Sequence, residues 1–359
     1  MRSAILVSVL ALVFACEAKI DAVHVPIRKG KEAGVEIAEY RGDFGTCAMN
    51  LKYTLADGRV RNRKWGEYFF GLQLGYTERN SGWDKWNFLE VHARTAKGVR
   101  NVLAGSRPVL FTGYSTGGAD CLVADWEAEG GGRIRLRFAA FPSQKGWLFL
   151  RVESADVPLA RIRLNARPGS AAVVEGREMH IASKGRDWNL AAESAEFKPE
   201  FPALLLYSRY VFDHFGNKLV FDAEPVAAVK SGKCASQISV DFTLAKGAKH
   251  ADFALGFFAN RDAEDQVVRF LGEDCDTIHS FLKAIDWEAV PGLSDFRLAV
   301  RIALQMGVDK QVLKALSGRY MSARQTHDVV SLVGCEAELA ELRRKRTEEG
   351  LRELEDRSR

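Results

Sequence analysis

The feature that most constrains this fold is a strict alternation of apolar and charged residues across positions 133–165. A period of two residues is typical of half-buried strands. Two alternating runs flank a turn between Phe141 and Trp147, and a third run follows at 160–165. Pairing Phe141 with Trp147 sets a register in which apolar residues face apolar ones and charged residues face charged ones. Leu136 then lies opposite Val152, Phe138 opposite Leu150 and Arg135 opposite Glu153. We therefore predict an antiparallel meander with one apolar and one charged face.

Short strand patterns separated by turn signals extend over most of the remaining chain up to residue 260. One turn, Asp57-Gly58, has the chemistry of a tight hairpin that needs positive φ. Beyond residue 260 the apolar spacing becomes helical, as in 277–285. We predict a mainly β protein: a large, supersandwich-like antiparallel β-sandwich at 19–260 with a helical C-terminal extension at 261–359.

The first residues have the pattern of an export signal. Arg2 precedes an apolar run at 4–15, which is too short to span a bilayer but fits a signal-peptide core. Cleavage after Ala18 would remove residues 1–18. Cleavage before Cys16, where the sequence resembles a lipobox, would remove 1–15 and leave Cys16 for lipidation. Either route predicts export to the periplasm, the medium or a lipid anchor, with membrane contact only through the signal peptide or that anchor.

Composition and motifs argue against several classes of function. A net charge of +4 on 359 residues is too small to indicate a nucleic-acid partner. The cysteines and the seven histidines are scattered without metal-ligand spacing, so we predict no metal and no cofactor. Nucleotide-binding glycine loops and zinc motifs are absent. The stretch Gly113-Tyr-Ser-Thr-Gly117 has the spacing of a nucleophile elbow, but it precedes Gly118-Ala-Asp rather than a helix, so we discount it. Most of the cysteines are expected to be small buried apolar residues, and the sequence leaves disulfide pairing and oligomeric state open.

The first candidate site is the segment 83–92, the densest mixture of aromatic and polar residues in the chain. Exposed tryptophan faces stack on sugar rings, carboxylates bond sugar hydroxyls, and turns of β scaffolds often carry function. The alternative is that one or both tryptophans belong to the core. The candidate residues are Trp83, Asp84 and Trp86 for ligand binding and Glu90 and His92 for catalysis.

The second candidate is the segment 207–217. Asp213 and His214 are candidates for an acid–base pair, Arg209 for binding a carboxylate, and Tyr207 for ligand contact. Adjacent residues of a strand point to opposite faces, so Asp213 and His214 cooperate only if they lie in a loop. The alternative is an ordinary hairpin turn.

A row of arginines marks the charged face of the meander. It is a candidate surface for an anionic polysaccharide, or else a face that is solvated or paired with acids such as Glu127 and Glu153. The row comprises Arg133, Arg135, Arg137, Arg151, Arg161 and Arg163.

The architecture resembles the large β-sandwich domains associated with bacterial polysaccharide enzymes and mutarotases. The leading hypothesis is an exported carbohydrate-binding or carbohydrate-processing protein with a glycan partner. The first alternative is a non-catalytic envelope or surface (lipo)protein whose helical tail contacts an unknown protein. A third is a hydrolase of another class that uses Ser115 or Asp120. The sequence does not decide whether the chain is an enzyme.

Overall fold

The computed structural model describes residues 23–29, 35–43, 48–62, 67–74, 83–116, 119–129, 131–168, 178–208, 215–232, 237–259, 263–287, 295–326 and 329–358. Antiparallel strands hold the largest share of these residues, ahead of helices. The strands are β1 (Val23–Lys29), β2 (Val35–Asp43), β3 (Ala48–Ala56), β4 (Arg59–Val60), β5 (Gly71–Leu74), β6 (Leu89–Thr95), β7 (Gly98–Asn101), β8 (Arg107–Thr116), β9 (Ala119–Glu127), β10 (Arg133–Ala140), β11 (Leu148–Ser154), β12 (Leu159–Ala166), β13 (Met179–Ser183), β14 (Arg186–Asn189), β15 (Ala195–Phe197), β16 (Ala203–Ser208), β17 (Phe215–Phe221), β18 (Val226–Ser231), β19 (Ile238–Leu244) and β20 (His250–Ala259).

The helices follow the last strand. They are α1 (Ala263–Arg269), a π-helical turn (Phe270–Asp274), α2 (Cys275–Ala284), α3 (Asp295–Gln305), α4 (Lys310–Thr326) and α5 (Val329–Ser358). The predicted fold class, a mainly β sandwich with C-terminal helices, is confirmed. The division at residue 260 into two domains stays a prediction.

The strands form three sheets. The N-terminal sheet has the order β1-β2-β3-β4, with β5 also paired to β3. The central sheet has nine strands in the order β14-β13-β16-β17-β20-β11-β10-β9-β8. The outer sheet has six strands in the order β15-β18-β19-β12-β6-β7.

One core lies between the central sheet and the other two. Tyr53 and Phe70 of the N-terminal half pack edge-on against Trp126 of β9, with ring centroids 5.9 and 5.1 Å away. Further along the central sheet, Phe242 of the outer sheet meets Phe253 at 5.1 Å. Because the N-terminal and outer sheets share this core, their opposite faces point to the same side of the molecule. We call that side the distal face.

The meander has the predicted register. Leu136 pairs with Val152, Phe138 with Leu150 and Arg135 with Glu153. The predicted hairpin at Asp57-Gly58 is also present, with φ values of 51° and 71° between β3 and β4. Local alternation and turn chemistry therefore determine the strand pairing in both places.

The C-terminal helices cover the other side of the central sheet, which we call the helix-facing side. Phe270, Ile278 and Leu282 pack on apolar residues of β11, β16 and β20. Helices α3, α4 and α5 form a separate apolar cluster, and α5 also packs against the edge strand β8. Covering an edge strand with a helix prevents it from pairing with another chain.

Several N-terminal and cysteine predictions fall partly outside the described residues. Residues 1–22, and with them Cys16 and both cleavage points, lie outside. Cys121, Cys275 and Cys335 are buried free thiols, which confirms the prediction for these three. None of the described helices is both long enough and apolar enough to cross a bilayer.

Candidate functional site

The segment 83–88 joins the N-terminal sheet to the outer sheet. Its backbone bonds Asn165 of β12 on one side, at 2.8 and 3.1 Å, and Phe70 and Leu72 on the other, at 2.9 and 3.2 Å. The approach is tight at Gly71, where an added Cβ would lie 1.8 Å from the carbonyl oxygen of Lys85. Only glycine fits there, so the close contact fixes the segment over β5.

Two residues of this segment, Trp83 and Asp84, are buried and stabilise the fold. The prediction that they bind a ligand is therefore corrected. Trp83 is 2% exposed and packs edge-on against Phe88, so it has no face to offer a ligand. Asp84 is fully buried, its Oδ1 accepts the N–H of Trp86, and its Oδ2 lies 3.3 Å from Arg167. A buried carboxylate needs such partners because it has left water. Both side chains hold the segment in place.

Trp86, in contrast, is half-buried and reaches the distal face. Its ring stacks on the half-buried Tyr68 with centroids 4.6 Å apart and planes 15° apart. Lys52 lies 5.6 Å from the centre of the Tyr68 ring, and Lys85 lies 5.7 Å from that of Trp86. The result is an aromatic pair flanked by two ammonium groups, which we call the aromatic stack.

Further along the distal face, cross-strand neighbours form a row of polar residues. Its members are held together by the register of three strands, since β12 pairs with both β6 and β19. We call the set of Glu90, His92, Arg161, Arg163 and Asp241 the distal polar row.

Glu90 and His92, predicted as catalytic partners, do come together. The Oε2 of Glu90 lies 3.2 Å from Nε2 of His92, and its Oε1 accepts a 3.1 Å bond from the amide of Asn87. Burial acts to raise the pKa of Glu90, but the bonds from His92 and Asn87 and the charge of Arg163 outweigh it and lower the pKa to about 2. Glu90 is therefore an ionised acceptor at neutral pH, and it is poorly suited to donate or accept a proton in catalysis.

The two arginines of the row are bound unequally. Arg163 donates two bonds, of 2.9 and 2.8 Å, to the two oxygens of Asp241. This pairing raises the pKa of Arg163. Arg161 brings its Nε only to 3.5 Å from Oδ1 of the same carboxylate, and its Nη2 lies over His92. Bidentate pairing therefore commits Asp241 to Arg163.

A second polar chain supports the row. Ser239 donates a 2.6 Å bond to the side-chain oxygen of Asn165, whose amide donates a 2.8 Å bond to the carbonyl of Asn87. Asn87 in turn bonds Glu90. The carboxylate is thus oriented by groups from three strands and the segment 83–88, an arrangement that limits its movement.

Tyr207 lies elsewhere, on the helix-facing side of the central sheet. Its hydroxyl donates a 2.5 Å bond to Asp187, and its ring stacks on His180 at 5.2 Å. The ring nitrogens of His180 lie 3.1 Å from Asp187 and 3.1 Å from Glu178. Because the core separates the two sides, Tyr207 and the segment 83–92 do not form one site.

Sequence reasoning missed the partners of Tyr207, although a signal was present. The two residues Lys184-Gly185 make a tight turn, with Gly185 at φ 81°. That turn places His180 and Asp187 on the same face of β13 and β14. Arg209, Asp213 and His214, the other members of the second candidate, lie outside the described residues. The same segment therefore supplies no described acid–base pair.

Most of the arginines of the meander are paired on the helix-facing side. The bonded pairs are Arg135–Asp125 at 2.8 Å, Arg137–Glu153, and Arg151–Asp252 at 2.7 Å. Trp287 completes the arrangement, since its carbonyl accepts a bond from Arg137 and its ring lies 5.2 Å from the Arg151 guanidinium. The pairing with Glu153 was predicted. The contacts with Asp125, Asp252 and Trp287 were not, because these residues come from other elements of the fold.

The remaining candidates, Ser115 and Asp120, stay a prediction. Ser115 pairs with Asp120 in the β8–β9 register, and Asp120 is buried. Among the residues that the structure describes, no three His, Cys, Asp or Glu side chains are grouped so as to hold a metal ion.

Comparison with known proteins leaves the chain outside any assigned family. No family model and no curated protein matches it. A complex of the α-N-acetylgalactosaminidase NagBb from Bifidobacterium bifidum with GalNAc is similar over 61% of this chain, with TM-score 0.39 and 9% identity. A heparinase III is similar over 66%, with TM-score 0.33 and 10% identity. In each case the chain spans 36% of the other protein's length.

Proposed function

We propose that this protein is an exported saccharide-binding β-sandwich protein whose contact surface is the distal face. The observation that carries the proposal is the aromatic stack, in which Tyr68 and Trp86 are both half-buried on the outside of a sheet layer. Large aromatic rings fixed on a rigid sheet offer apolar area at little cost in conformational entropy. The distal polar row, on the same side, offers the charged and hydrogen-bonding groups that sugar hydroxyls need.

The lysines beside the rings are compatible with this role. A cation–π contact at an exposed position contributes only about 0.5–1 kcal/mol. A sugar ring that displaces Lys85 from Trp86 therefore loses little, and the freed ammonium remains nearby to bond oxygen atoms of the ligand. The stack is a surface of mixed aromatic and cationic character.

The electrostatics of Glu90 favour binding over processing. A general acid must hold its proton at the working pH, and the pKa of Glu90 is lowered to about 2. Asp241 is committed to Arg163 by two hydrogen bonds. The carboxylates of the row are therefore better suited to orienting arginines than to cleaving a glycosidic bond.

The test is a glycan array probed with the wild-type protein and with Trp86→Ala. We expect a defined set of glycans to bind the wild type, a loss of about tenfold or more in affinity for Trp86→Ala, and partial retention for Trp86→Phe. Phe201→Ala is the matched control, because Phe201 is an aromatic residue that is 38% exposed away from the stack. If no glycan binds the wild type, the proposal is wrong.

Export is part of the proposal and has its own measurement. It is supported by the apolar run at 4–15 behind Arg2. Mass spectrometry of the mature N-terminus distinguishes a chain that starts at Lys19 from one that starts at an acylated Cys16. A chain that retains Met1 would contradict export.

A second candidate, an envelope protein that binds a partner through its helices, has one observation in its favour. Large apolar side chains on α3, α4 and α5 are exposed; they are Leu304, Val312, Met321 and Leu351. Such residues favour protein contact when they cluster. A negative glycan array together with self-association or partner capture lost on Val312→Ser would favour this candidate.

A further inference from the structure

Charges alternate in sign along a line that crosses the distal face of the outer sheet. Its members lie opposite one another in the register of β15, β18, β19, β12 and β6; in that order they are Glu196, Lys230, Asp241, Arg163 and Glu90. Each cation on the line therefore has a carboxylate on either side. With Arg161, which lies 3.5 Å from Asp241, the line contains three carboxylates and three cations, so its charges balance.

The ion pair of Arg163 and Asp241 uses only part of its hydrogen-bonding capacity. Nε of Arg163 donates to Oδ1 of Asp241, and Nη2 donates to Oδ2 over 2.8 Å. Nη2 carries a second proton and Oδ2 a second lone pair. Neither is used by another of the residues that the structure describes. A donor and an acceptor thus lie side by side at one edge of the pair, on side chains that are 30% and 26% exposed.

A donor beside an acceptor favours uncharged ligand groups. A hydroxyl can accept a bond from Nη2 and donate one to Oδ2, because it has both a proton and lone pairs. A carboxylate or sulfate ester of a ligand only accepts, so it would meet the negative Oδ2 with no proton to offer and would be repelled. An ammonium group would be repelled by Nη2 for the corresponding reason. Hydroxyl groups are therefore the ligand groups that fit both atoms.

We propose that the Arg163–Asp241 pair determines specificity by binding hydroxyl groups, and that the saccharide on the distal face is a neutral glycan. The proposal rests on the saccharide-binding function proposed for that face. The aromatic stack contacts sugar rings, and the ion pair selects uncharged, hydroxyl-rich ligands. The lysines of the stack give acidic ligands little advantage, because an ion pair with a partly solvated ammonium group is weak and is screened by salt.

The experiment uses the full-length mature protein and a glycan array that contains neutral glycans together with glycans that carry uronates or sulfate esters. The best hit is then titrated by calorimetry, alongside a derivative in which one primary hydroxyl is oxidised to a carboxylate. We expect neutral hits and an affinity at least about tenfold lower for the acidic derivative. The affinity for the neutral hit should change less than about twofold between low and high salt, because no net charge is neutralised on binding.

Two variants test the pair itself. Asp241→Asn keeps the shape but leaves Arg163 without its charged partner, so we expect about tenfold weaker binding of the neutral hit and a smaller gap between the hit and its acidic derivative. A loss of folding would weaken both ligands alike and would not narrow that gap. Arg163→Lys keeps the charge without the planar pair of donors, and it should also weaken the neutral hit.

Glu338→Gln on α5 is the matched control. It also removes a carboxylate paired with an arginine, Arg319, but at a position 44% exposed on the helices. Its affinity for both ligands should equal that of the wild type. Thermal unfolding of each variant verifies that it is folded.

Each failure has its own signature. Acidic glycans that bind as tightly as neutral ones, or more tightly, would overturn the role of the pair and leave saccharide binding intact. Unchanged affinity in both Asp241→Asn and Arg163→Lys, or an equal loss in Glu338→Gln, would also overturn it. No glycan bound by the wild type would overturn both proposals.

Discussion

The arginines of a single alternating segment, 133–165, have two different environments. On the helix-facing side, Arg137 is 7% exposed, bonded to Glu153 and covered by Trp287. On the distal face, Arg161 is 35% exposed, and its Nε lies 3.5 Å from the Asp241 carboxylate, which accepts two shorter bonds from Arg163. The sequence pattern around them is the same, so the difference comes from what the rest of the fold places against each face. Arg137 is covered and paired on the helix-facing side, whereas Arg161 stays partly open to solvent on the distal face.

The energetic consequence differs between the two regions. Removing one partner of a buried ion pair lowers the free energy of unfolding strongly, because the other charge stays buried without a partner. A half-exposed ion pair contributes little, because water and salt screen it. Substitutions on the helix-facing side should therefore change stability strongly, and a substitution at Arg161 should change it little. Three measurements test this contrast.

The largest effect is expected for Asp125→Ala. Asp125 is fully buried, lies 2.8 Å from Arg135 and also faces Arg133 at 3.8 Å. Its removal leaves a partly buried guanidinium without its carboxylate, so we expect a loss of about 3–5 kcal/mol in the free energy of unfolding. Urea denaturation measures it.

A double variant is the control for Asp125. Arg135→Met combined with Asp125→Leu removes both charges, and it should recover part of the lost stability because only the more exposed Arg133 then lacks the Asp125 carboxylate. A loss below about 1 kcal/mol for Asp125→Ala would show that this pair is not structural and would weaken the contrast.

An intermediate effect is expected at Glu90, and it depends on pH. The pKa of Glu90 is about 2 in the folded protein against an ordinary 4.5, so its contribution is complete above pH 4.5 and is lost as the pH falls toward 2. At about 1.4 kcal/mol per pKa unit, reduced for partial solvation, Glu90→Gln should cost about 2–3 kcal/mol at pH 7 and almost nothing near pH 2.

The measurement is the difference in unfolding free energy between wild type and Glu90→Gln from pH 7 to pH 2. Glu196→Gln is the control, because Glu196 is 71% exposed on the edge strand β15. Its difference should stay near zero throughout. A Glu90→Gln difference that does not shrink on acidification would mean that the carboxylate is not held in its ionised form by the row.

The sequence predicts those contacts correctly that depend on one strand and the strand next to it along the chain. The meander register and the Asp57-Gly58 hairpin depend on local alternation and turn chemistry. The pairing of Glu90 with His92 is local too, since they lie two residues apart on one strand face.

The contacts that sequence reasoning missed join distant segments. Arg151 meets Asp252 of β20, Arg163 meets Asp241 of β19, and Trp86 stacks on Tyr68. Which strands become neighbours depends on the order of strands in each sheet, and no local pattern contains that order. For the same reason the sequence does not tell which of Trp83 and Trp86 is buried. They share one short segment, and only Trp83 enters the core.

The smallest effect on stability is expected for Arg161→Ala. The contacts of Arg161 are long, at 3.5 Å to Asp241 and 3.2–3.3 Å to the His92 ring, and the side chain is partly solvated. We expect a change within about 0.5 kcal/mol in the free energy of unfolding at pH 7, measured by urea denaturation. Arg137→Ala, measured in parallel, should cost several times more because it removes the partner of Glu153 and the donor to the Trp287 carbonyl. If the two variants lose equal stability, the distal arginine is structural like its counterpart, and the contrast between the two sides is wrong.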